Sequence, residues 1–318
     1  MQIIHDTSTL CPEPCVATIG FFDGVHAGHR YLIRQVQEAA SARGLRSAVV
    51  TFPVHPRKVM DIHYTPGLLT TFDEKTELLA GLEIDYCLTL HFTTDVADMS
   101  AQEFMARVLK ERFGVKCLLI GYDHRFGHNR SEGFDDYVRY GQALGIEVLC
   151  AKAFSEPLAS EANVTVSSSV IRELLLKGDV VTAARALESP YLLVGTVVDG
   201  YQVGRTIGYP TANIHVNNPD KLIPGNGVYA VWVQMDGQTY MGMLSIGVRP
   251  TFGENLNRTI EVNILHFQGD VYGKEIRLIF VQRTRSEKKY DSLDALVAQL
   301  HKDAEETESI LRADNSLK

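Results

Sequence analysis

The segment that decides the fold is Ile19–His29, which reads IGFFDGVHAGH. It continues the apolar run Val16–Gly20, which predicts a buried β-strand, and it precedes Arg30–Arg43, where apolar residues recur at helical spacing. Gly24 and Gly28 allow the backbone to turn tightly and to approach a ligand closely. A strand, a glycine-containing turn and a helix in this order predict a ligand site at the carboxyl edge of an open α/β sheet.

The helix that follows this turn favours a phosphate at its start, because its amide groups and its dipole attract negative charge. His26 and His29 flank the helix start, and imidazoles can donate hydrogen bonds to phosphate oxygens. The commoner motifs GxxxxGKS/T and GxGxxG do not occur in the sequence. The pattern alone leaves two interpretations open, a nucleotide-phosphate turn and a pair of surface histidines.

Strand-like runs alternate with helix-like segments over the first 187 residues or so. The runs are short and almost continuously apolar, as strands buried on both faces are: Val16–Gly20, Ser47–Phe52, Asp85–Leu90, Cys117–Gly121 and Glu147–Cys150. Between them lie Arg30–Arg43, Glu74–Ala80, Ala101–Phe113 and Asp135–Leu144. This alternation predicts a doubly wound parallel sheet in an α/β domain.

Strands follow one another without intervening helices beyond Tyr191. Asp236-Gly237 suits a tight turn between Gly227–Met235 and Thr239–Ile246, so these residues predict a β-hairpin. Two further strands and an amphipathic helix complete the pattern: Thr259–Phe267, Glu275–Gln282 and Ser292–Ser309. We therefore predict a small antiparallel β-barrel in a second domain, with the boundary giving domains 1–187 and 188–318.

Length and composition limit the class of protein. A chain of 318 residues is long enough for two domains, and a net charge of −8 argues against a dedicated nucleic-acid binder. No run approaches the roughly 18 apolar residues of a membrane span, and the first residues lack the pattern of a signal peptide. The five cysteines are odd in number and form no CxxC pair, which disfavours a disulfide framework. We expect a cytoplasmic protein with neither nucleic acid nor membrane as a partner.

The turn resembles the HxGH signature of the nucleotidylyltransferase superfamily, and its Phe-Asp-Gly resembles the flavin-adenylating branch. Three other segments are similar to motifs of that branch: Thr51–Pro56 (TFPVHP), Gly121–Gly127 (GYDHRFG) and Ser167–Arg172 (SSSVIR). The resemblance implies that residues 1–187 are an FMN adenylyltransferase, or FAD synthetase, domain. It also implies three catalytic residues, which are His26, His29 and Arg172.

The same resemblance implies the binding residues of the first domain. The ATP-binding residues are Gly20, Phe21, Asp23, Gly24, Gly28, Ser168 and Ser169. The flavin-binding residues are Phe52, His55, Pro56, Tyr122, Asp123 and Phe126, whose flat apolar members suit an isoalloxazine ring. Two alternatives stay open from the pattern, namely core packing for the aromatic rings and helix N-capping for the two serines.

The segment Gly204–Asn213 of the second domain reads GRTIGYPTAN. The hydroxyl of Thr211 and the amide oxygen of Asn213 are hard oxygen ligands that suit Mg²⁺. From the pattern alone, the segment is a turn before a strand. It resembles the riboflavin kinase signature, and the similarity extends to Glu261-Val262 and Arg285-Ser286-Glu287. Nearly the whole chain thus resembles the family of bacterial bifunctional riboflavin kinases/FAD synthetases.

This second resemblance implies that Glu261 is the kinase base, a carboxylate that accepts the proton of the attacking alcohol. The pattern alone makes it an exposed residue of an alternating strand. The resemblance implies the following further ligands: Gly204, Arg205 and Gly208 for ATP, Arg285 and Glu287 for the flavin, and Thr211 and Asn213 for Mg²⁺.

The implied reactions are the phosphorylation of riboflavin to FMN by Mg-ATP and the adenylylation of FMN to FAD with release of pyrophosphate. The implied partners are riboflavin, FMN and ATP, and weak self-association is left open. Two rivals remain: a nucleotidylyltransferase for another phosphate ester fused to an unrelated barrel, and a non-catalytic flavin-binding protein. The first leaves Pro210–Asn213 and Glu261 unexplained, and the second does not account for the intact set of candidate catalytic residues.

Overall fold

The computed structural model describes residues 1–6, 13–61, 63–65, 67–155, 166–200, 207–248 and 258–314. The chain forms two compact units, Met1–Glu156 and Pro157–Lys318. The division falls before the boundary predicted near Leu187, because two helices between these positions pack within the second unit. The functional boundary at 187/188 therefore stays a prediction.

The first unit contains a six-stranded sheet in the order β1-β4-β3-β2-β5-β6, and every pair in it is parallel. The strands are β1 Gln2–His5, β2 Cys15–Ile19, β3 Arg46–Thr51, β4 Tyr86–Thr89, β5 Val115–Ile120 and β6 Glu147–Cys150. The predicted parallel sheet is confirmed. The sequence pattern did not indicate β1, because this edge strand buries only Ile4 among its four residues.

Helices cover both faces of this sheet, as the predicted doubly wound fold requires. They are α1 Ala27–Ser41, α2 Pro56–Met60, α3 Phe72–Ala80, α4 Thr94–Ala97, α5 Ala101–Glu103, which continues as a π-helix over Phe104–Arg112, and α6 Phe134–Leu144. Residues of α1 and α3 pack with Val49 and Cys87 on one face. The π-helix and α6 pack with Val50 and Leu118 on the other. Alternation along each strand thus directs successive side chains into opposite layers.

The second unit is a closed barrel in the order β10-β11-β8-β7-β12-β9, which confirms the predicted antiparallel barrel. The strands are β7 Leu192–Val198, β8 Ala212–His215, β9 Gly227–Met235, β10 Gln238–Val248, β11 Arg258–Ile264 and β12 Glu275–Arg285. The helices are α7 Ser168–Lys177, α8 Val180–Leu187 and α9 Leu293–Ala313. No helix in the described ranges has the length and apolar character needed to cross a membrane.

The hairpin between β9 and β10 forms where it was predicted. Met235 pairs with Gln238, so Asp236 and Gly237 are its two loop residues. Both have positive φ, 51° and 74°, as a type I′ turn requires. Local turn chemistry therefore sets the register of this hairpin.

The helices α7 and α8 pack against the barrel. The amide of Gly225 donates to the carbonyl of Leu175 at 2.8 Å, and the guanidinium of Arg283 donates to the carbonyl of Lys177 at 3.4 Å. Gly178 joins the two helices with a φ of 80°, and a Cβ there would lie 2.8 Å from the side chains of Arg283 and Tyr229. These contacts place α7 and α8 in the second compact unit.

Candidate active sites

The three predicted loops of the first unit follow three adjacent strands. Strand β2 lies between β3 and β5, and from it the chain continues to β3 and β4 on one side and to β5 and β6 on the other. The loops after these strands begin at Gly20, Phe52 and Gly121. In open α/β sheets, ligands bind beyond the carboxyl ends of the strands where the order reverses. The structure therefore brings the predicted phosphate turn and both predicted flavin loops to one edge.

The phosphate turn, residues 20–29, has an unusual backbone. Phe22 and Gly24 both have positive φ, 55° and 82°, and a short 3₁₀ helix spans Asp23–Val25 before α1 starts at Ala27. A Cβ at Gly20 would lie 2.9 Å from the ring of Phe22. The positive φ of Gly24 favours glycine there, and a side chain at Gly20 would displace the ring of Phe22, whereas Gly28 lies in the first turn of α1.

His26 and His29 meet at the start of α1. Their rings stack with centroids 3.6 Å apart and an interplanar angle of 19°. Nδ1 of His26 accepts from the amide of His29 at 3.4 Å, so His26 is the N-cap of α1. Nδ1 of His29 is buried and has no hydrogen-bond partner among the described residues.

Burial lowers the pKa of His29 well below 6.5, and the charges of His26 and Lys75 lower it further. His29 is therefore neutral at pH 7. A neutral imidazole retains one N–H donor, which is the group needed to hydrogen-bond a phosphate oxygen. The structure thus places two imidazoles where the dipole and the amides of α1 also favour an anion.

The carboxylate of Asp23 holds the turn from within the protein. It is buried and accepts from the amides of Leu69 at 2.9 Å and Thr70 at 3.1 Å. The hydroxyl of Thr70 in turn accepts from the amide of Gly24 at 3.0 Å. Asp23 therefore fastens the turn to the segment before α3, and its predicted contact with ATP stays a prediction.

Lys75 is a buried cation beneath this edge that the sequence analysis missed. Its ammonium donates to the carbonyls of Phe21 at 3.0 Å and Phe52 at 2.9 Å, and to the hydroxyl of Thr51 at 3.1 Å. A lysine on a helix usually lies in solvent, and no motif singled this one out.

The predicted flavin residues divide into packed and accessible side chains. Phe52 packs in the core 5.7 Å from Phe92, and Phe126 stacks on Tyr137 with centroids 4.1 Å apart. Core packing, the alternative interpretation, thus describes these two rings, and their flavin contacts stay predictions. Tyr122, by contrast, is 58% exposed.

The other accessible candidates at this edge are Asp123, which is exposed, and His55 and Pro56, which are half-buried. His55 lies edge-on to Phe21 with centroids 4.6 Å apart and is the N-cap of α2, which begins at Pro56. The ring of Phe21 thus links the phosphate turn to the loop after β3.

Ser168, Ser169 and Arg172 lie in the first turns of α7, in the second compact unit. The N-cap of this helix is Ser167, whose hydroxyl accepts from the amide of Val170 at 3.3 Å. The alternative that Ser168 and Ser169 are N-caps is therefore wrong. Their predicted roles in ATP binding, and that of Arg172 in catalysis, stay predictions.

The candidate kinase site is built on two neighbouring strands of the barrel. Asn213 of β8 pairs with Glu261 of β11, and the hydroxyl of Thr211 donates to the carboxylate of Glu261 at 3.2 Å. The amide of Asn263 donates to the carbonyl of Pro210 at 2.7 Å. Because side chains two apart on a strand share a face, β11 holds the Pro-Thr-Ala-Asn segment from one side.

Two cavities adjoin this ladder in the described part of the second unit. The larger, about 790 Å³, is lined by both Thr211 and Glu261. Its other lining residues include Arg285, Glu287, Tyr290, Leu293, Leu296 and Leu300. The smaller, about 460 Å³, is lined by Thr211 and by apolar residues that include Val262, Ile264 and Phe267. Thr211 thus lies at the boundary that the cavities share.

The predicted flavin residues Arg285 and Glu287 both line the larger cavity, but both have protein partners. The guanidinium of Arg285 donates to both carboxylate oxygens of Asp303, a fully buried residue of α9, at 2.7 to 3.0 Å. Hydrogen bonding to Asp303 raises the pKa of Arg285. Glu287 accepts from the side chain of Asn226 at 3.0 Å. Arg285 therefore fixes α9 as a wall of the cavity.

Three predicted ATP-binding residues precede β8 in the sequence. Gly204 and Arg205 lie outside the described residues. Gly208 has a φ of 83°, which favours glycine.

The two candidate sites indicate the class of protein. It is an enzyme with two units: an α/β unit that carries the phosphate turn, and a β-barrel unit that carries a carboxylate at the wall of a cavity. A family model for FAD synthetase matches residues 8–169, and a model for riboflavin kinase matches residues 187–311. The second match excludes an unrelated barrel.

Known proteins agree with these matches. The bifunctional riboflavin kinase/FMN adenylyltransferase of Listeria monocytogenes is 37% identical over 293 residues, covering 92% of this chain and 91% of that protein. Its counterpart in Escherichia coli is 35% identical over 301 residues, covering 94% of each. The chain belongs to the family of bifunctional riboflavin kinases/FMN adenylyltransferases. Its function is the ATP-dependent conversion of riboflavin to FMN and of FMN to FAD.

A solved structure shares the fold over almost the whole chain. It is titled as a macrolide-efflux protein from Streptococcus pneumoniae, with a TM-score of 0.85 and 32% identity, covering 96% of this chain and 98% of that one. Its title names an activity different from that of the relatives above, and the likeness establishes the shared fold.

Proposed function

We propose that the barrel phosphorylates riboflavin with Glu261 as the base, and that the phosphate turn of the first unit then adenylylates FMN. The observation that carries the first assignment is the 3.2 Å hydrogen bond from the Thr211 hydroxyl to Glu261 at the boundary of two cavities. The stacked pair of His26 and His29 supports the second.

In the kinase step, the larger cavity receives the flavin and the smaller one the nucleotide. The larger cavity offers apolar side chains of α9 and a polar wall at Glu261, which suits a ring system with a primary alcohol. The 5′-hydroxyl oxygen of riboflavin attacks the γ-phosphorus of ATP, its proton passes to the Glu261 carboxylate, and ADP leaves.

Mg²⁺ fits the side chains on this ladder. Thr211 and Asn213 offer a hydroxyl and an amide oxygen, and Glu261, which pairs with Asn213, adds a carboxylate nearby. Thr211 and Asn213 would hold the ion together with oxygens of the ATP phosphates. When bound, the ion neutralises phosphate charge.

In the adenylylation step, a phosphate oxygen of FMN attacks the α-phosphorus of a second ATP, and pyrophosphate leaves. His26, His29 and the amides of α1 stabilise the negative charge that develops on the α-phosphate. Tyr122, His55 and Pro56 are the accessible candidates for contact with the flavin ring. Ser168, Ser169 and Arg172 remain proposed ATP ligands.

The position of an isotope in ATP distinguishes the two transfers. The chain is incubated with riboflavin, Mg²⁺ and ATP labelled with ³²P at either the γ or the α position, and the flavins are separated over time. We expect γ-label in FMN and later in FAD, and α-label in FAD alone. Unlabelled FMN with γ-³²P would overturn the kinase assignment, and unlabelled FAD with α-³²P would overturn the adenylyl transfer.

A cytoplasmic location, weak self-association and the lack of a nucleic-acid partner stay predictions from the sequence and the resemblance.

A further inference from the structure

Lys75 is a charged side chain in the interior of the first unit. It is only 2% exposed, although lysine is almost never fully buried without a partner. It lies one turn into α3, whose start is fixed by a capping box between Thr71 and Glu74. The helix therefore holds the Lys75 backbone firmly while its side chain extends under the sheet edge.

The ammonium group of Lys75 has three hydrogens and three acceptors. The carbonyl of Phe21 belongs to the phosphate turn, and the carbonyl of Phe52 belongs to the loop after β3. The third acceptor, the hydroxyl of Thr51, itself donates to the carbonyl of Phe21 at 3.2 Å. The cation also lies 4.2 Å from the ring centroid of Phe21. One side chain therefore ties together the loops that leave two adjacent strands.

We propose that Lys75 is a positioning residue for adenylyl transfer, holding the phosphate turn and the loop after β3 at a fixed separation through its charged form. The proposal rests on the assignment of adenylylation to the phosphate turn. Reacting groups must be placed within about 0.5 Å, and a displacement of about 1 Å costs roughly 10²-fold in rate. Neutral Lys75 has one hydrogen fewer and cannot satisfy all three acceptors.

The charged groups around Lys75 determine how its proton responds to pH. Burial lowers the pKa of Lys75 to about 8, against the opposing effects of Cys87 on β4 and Asp23 in the turn. Burial raises the pKa of Cys87 to about 11, so this thiol stays neutral while Lys75 titrates. His29 on α1 is neutral throughout that range. The positioning effect is therefore present below pH 8 and lost as pH rises through it.

The test compares Lys75→Met with a matched control, Lys110→Met, which removes an exposed lysine of the same unit. The full-length proteins convert FMN and ATP to FAD between pH 6.5 and 9.5, and riboflavin phosphorylation is measured in parallel. Wild type and Lys110→Met should lose adenylylation above about pH 8. Lys75→Met should be about 10²-fold slower at pH 7, show no such decline, and phosphorylate riboflavin normally.

Thr51→Val is a second test of the proposal, in which Lys75 itself is retained. Removing one acceptor destabilises the charged ammonium, so the alkaline decline should move to lower pH while riboflavin phosphorylation is unchanged. If Lys75→Met does not fold, Thr51→Val still tests whether Lys75 is a positioning residue. An unmoved decline in Thr51→Val, or wild-type rates with the decline retained in Lys75→Met, would overturn the proposal. A wild-type chain that makes no FAD from supplied FMN would instead overturn the adenylyl transfer on which it rests.

Discussion

The two sites of this chain are built in opposite ways. The site of the first unit consists of loops at the edge of a parallel sheet, and buried polar side chains fasten those loops from below. Asp23 accepts from the amides of Leu69 and Thr70, and Lys75 donates to the carbonyls of Phe21 and Phe52. A site made of loops therefore depends on buried side chains that hold those loops from the protein interior.

The site of the second unit lies on the strands themselves. Pairing of Asn213 with Glu261 and of Ala212 with Val262 sets the register, and alternation then brings the polar side chains to one face. The hydrogen bonds of the ladder fix the backbone at these positions. The comparison indicates that substitutions in a site built on strands affect one functional side chain at a time. A site built on loops is also lost when the buried side chains that hold the loops are replaced.

The largest expected effect is at Glu261. Glu261→Gln keeps the size of the side chain and an acceptor for the Thr211 hydroxyl, but it removes the base. FMN formation should fall by roughly 10²- to 10⁴-fold, as for other general bases. FAD formation from supplied FMN should be unaffected. Glu275→Gln, at an exposed position on β12, is the control in the same assay, and a comparable loss there would argue against a specific role.

His29→Ala tests the loop site. Losing one charge-stabilising donor should slow FAD formation by about 10²- to 10³-fold while FMN accumulates. Separation of the flavins after incubation with riboflavin and Mg-ATP measures both. His91→Ala removes an exposed histidine of the same unit, which lies within hydrogen-bond distance of Asp6, and should change neither reaction. A folded His29→Ala that also stops making FMN would contradict independent sites.

Asp303→Asn tests whether α9 is held as a wall of the larger cavity. The change leaves the guanidinium of Arg285 without its anion, and the side chain of Arg285 is still 22% exposed. We expect the free energy of unfolding to fall by about 2 to 3 kcal/mol, below the full cost of a completely buried pair. Urea denaturation measures this, and the KM for riboflavin should rise. Glu305→Gln, on an exposed position of α9, should change neither.

The smallest expected effect concerns the hairpin between β9 and β10. Gly237→Ala places a Cβ at a φ of 74° and should cost about 1 kcal/mol of stability, with both reactions unchanged. Gly81→Ala is the matched change at a φ of −65°, with the nearest atom 3.5 Å from the new Cβ, and it should be neutral or slightly stabilising. Equal effects of the two changes in thermal unfolding would show that φ does not decide the outcome.

Much of the fold follows from local pattern. Strands β2 to β6, strands β9 to β12 and the Asp236-Gly237 turn lie close to where the sequence predicts them, because hydrophobic periodicity and turn chemistry act over a few residues. No range was predicted for strands β1, β7 and β8, and β1, a short edge strand with one buried residue, has no periodicity to detect.

The candidate sites were predicted only in part. The resemblance indicates His26, His29, Thr211 and Glu261, and the structure places each pair together. It does not indicate Lys75, Asn263 or Asp303, since a lysine, an asparagine and an aspartate are ordinary surface residues until packing buries them. Phe52 and Phe126 are the opposite case. The resemblance implies that they bind the flavin, and only the structure shows that their rings pack in the core.

By itself, the sequence determined most of the buried strands and long helices, the Asp236-Gly237 turn and the motifs, since each depends on neighbours along the chain. Only the tertiary structure decided which polar groups become buried and what they hold. Lys75 and Phe21 are 54 residues apart, and Arg285 and Asp303 are 18 apart. Burial is a property of segments that meet in space, so no local pattern specifies it.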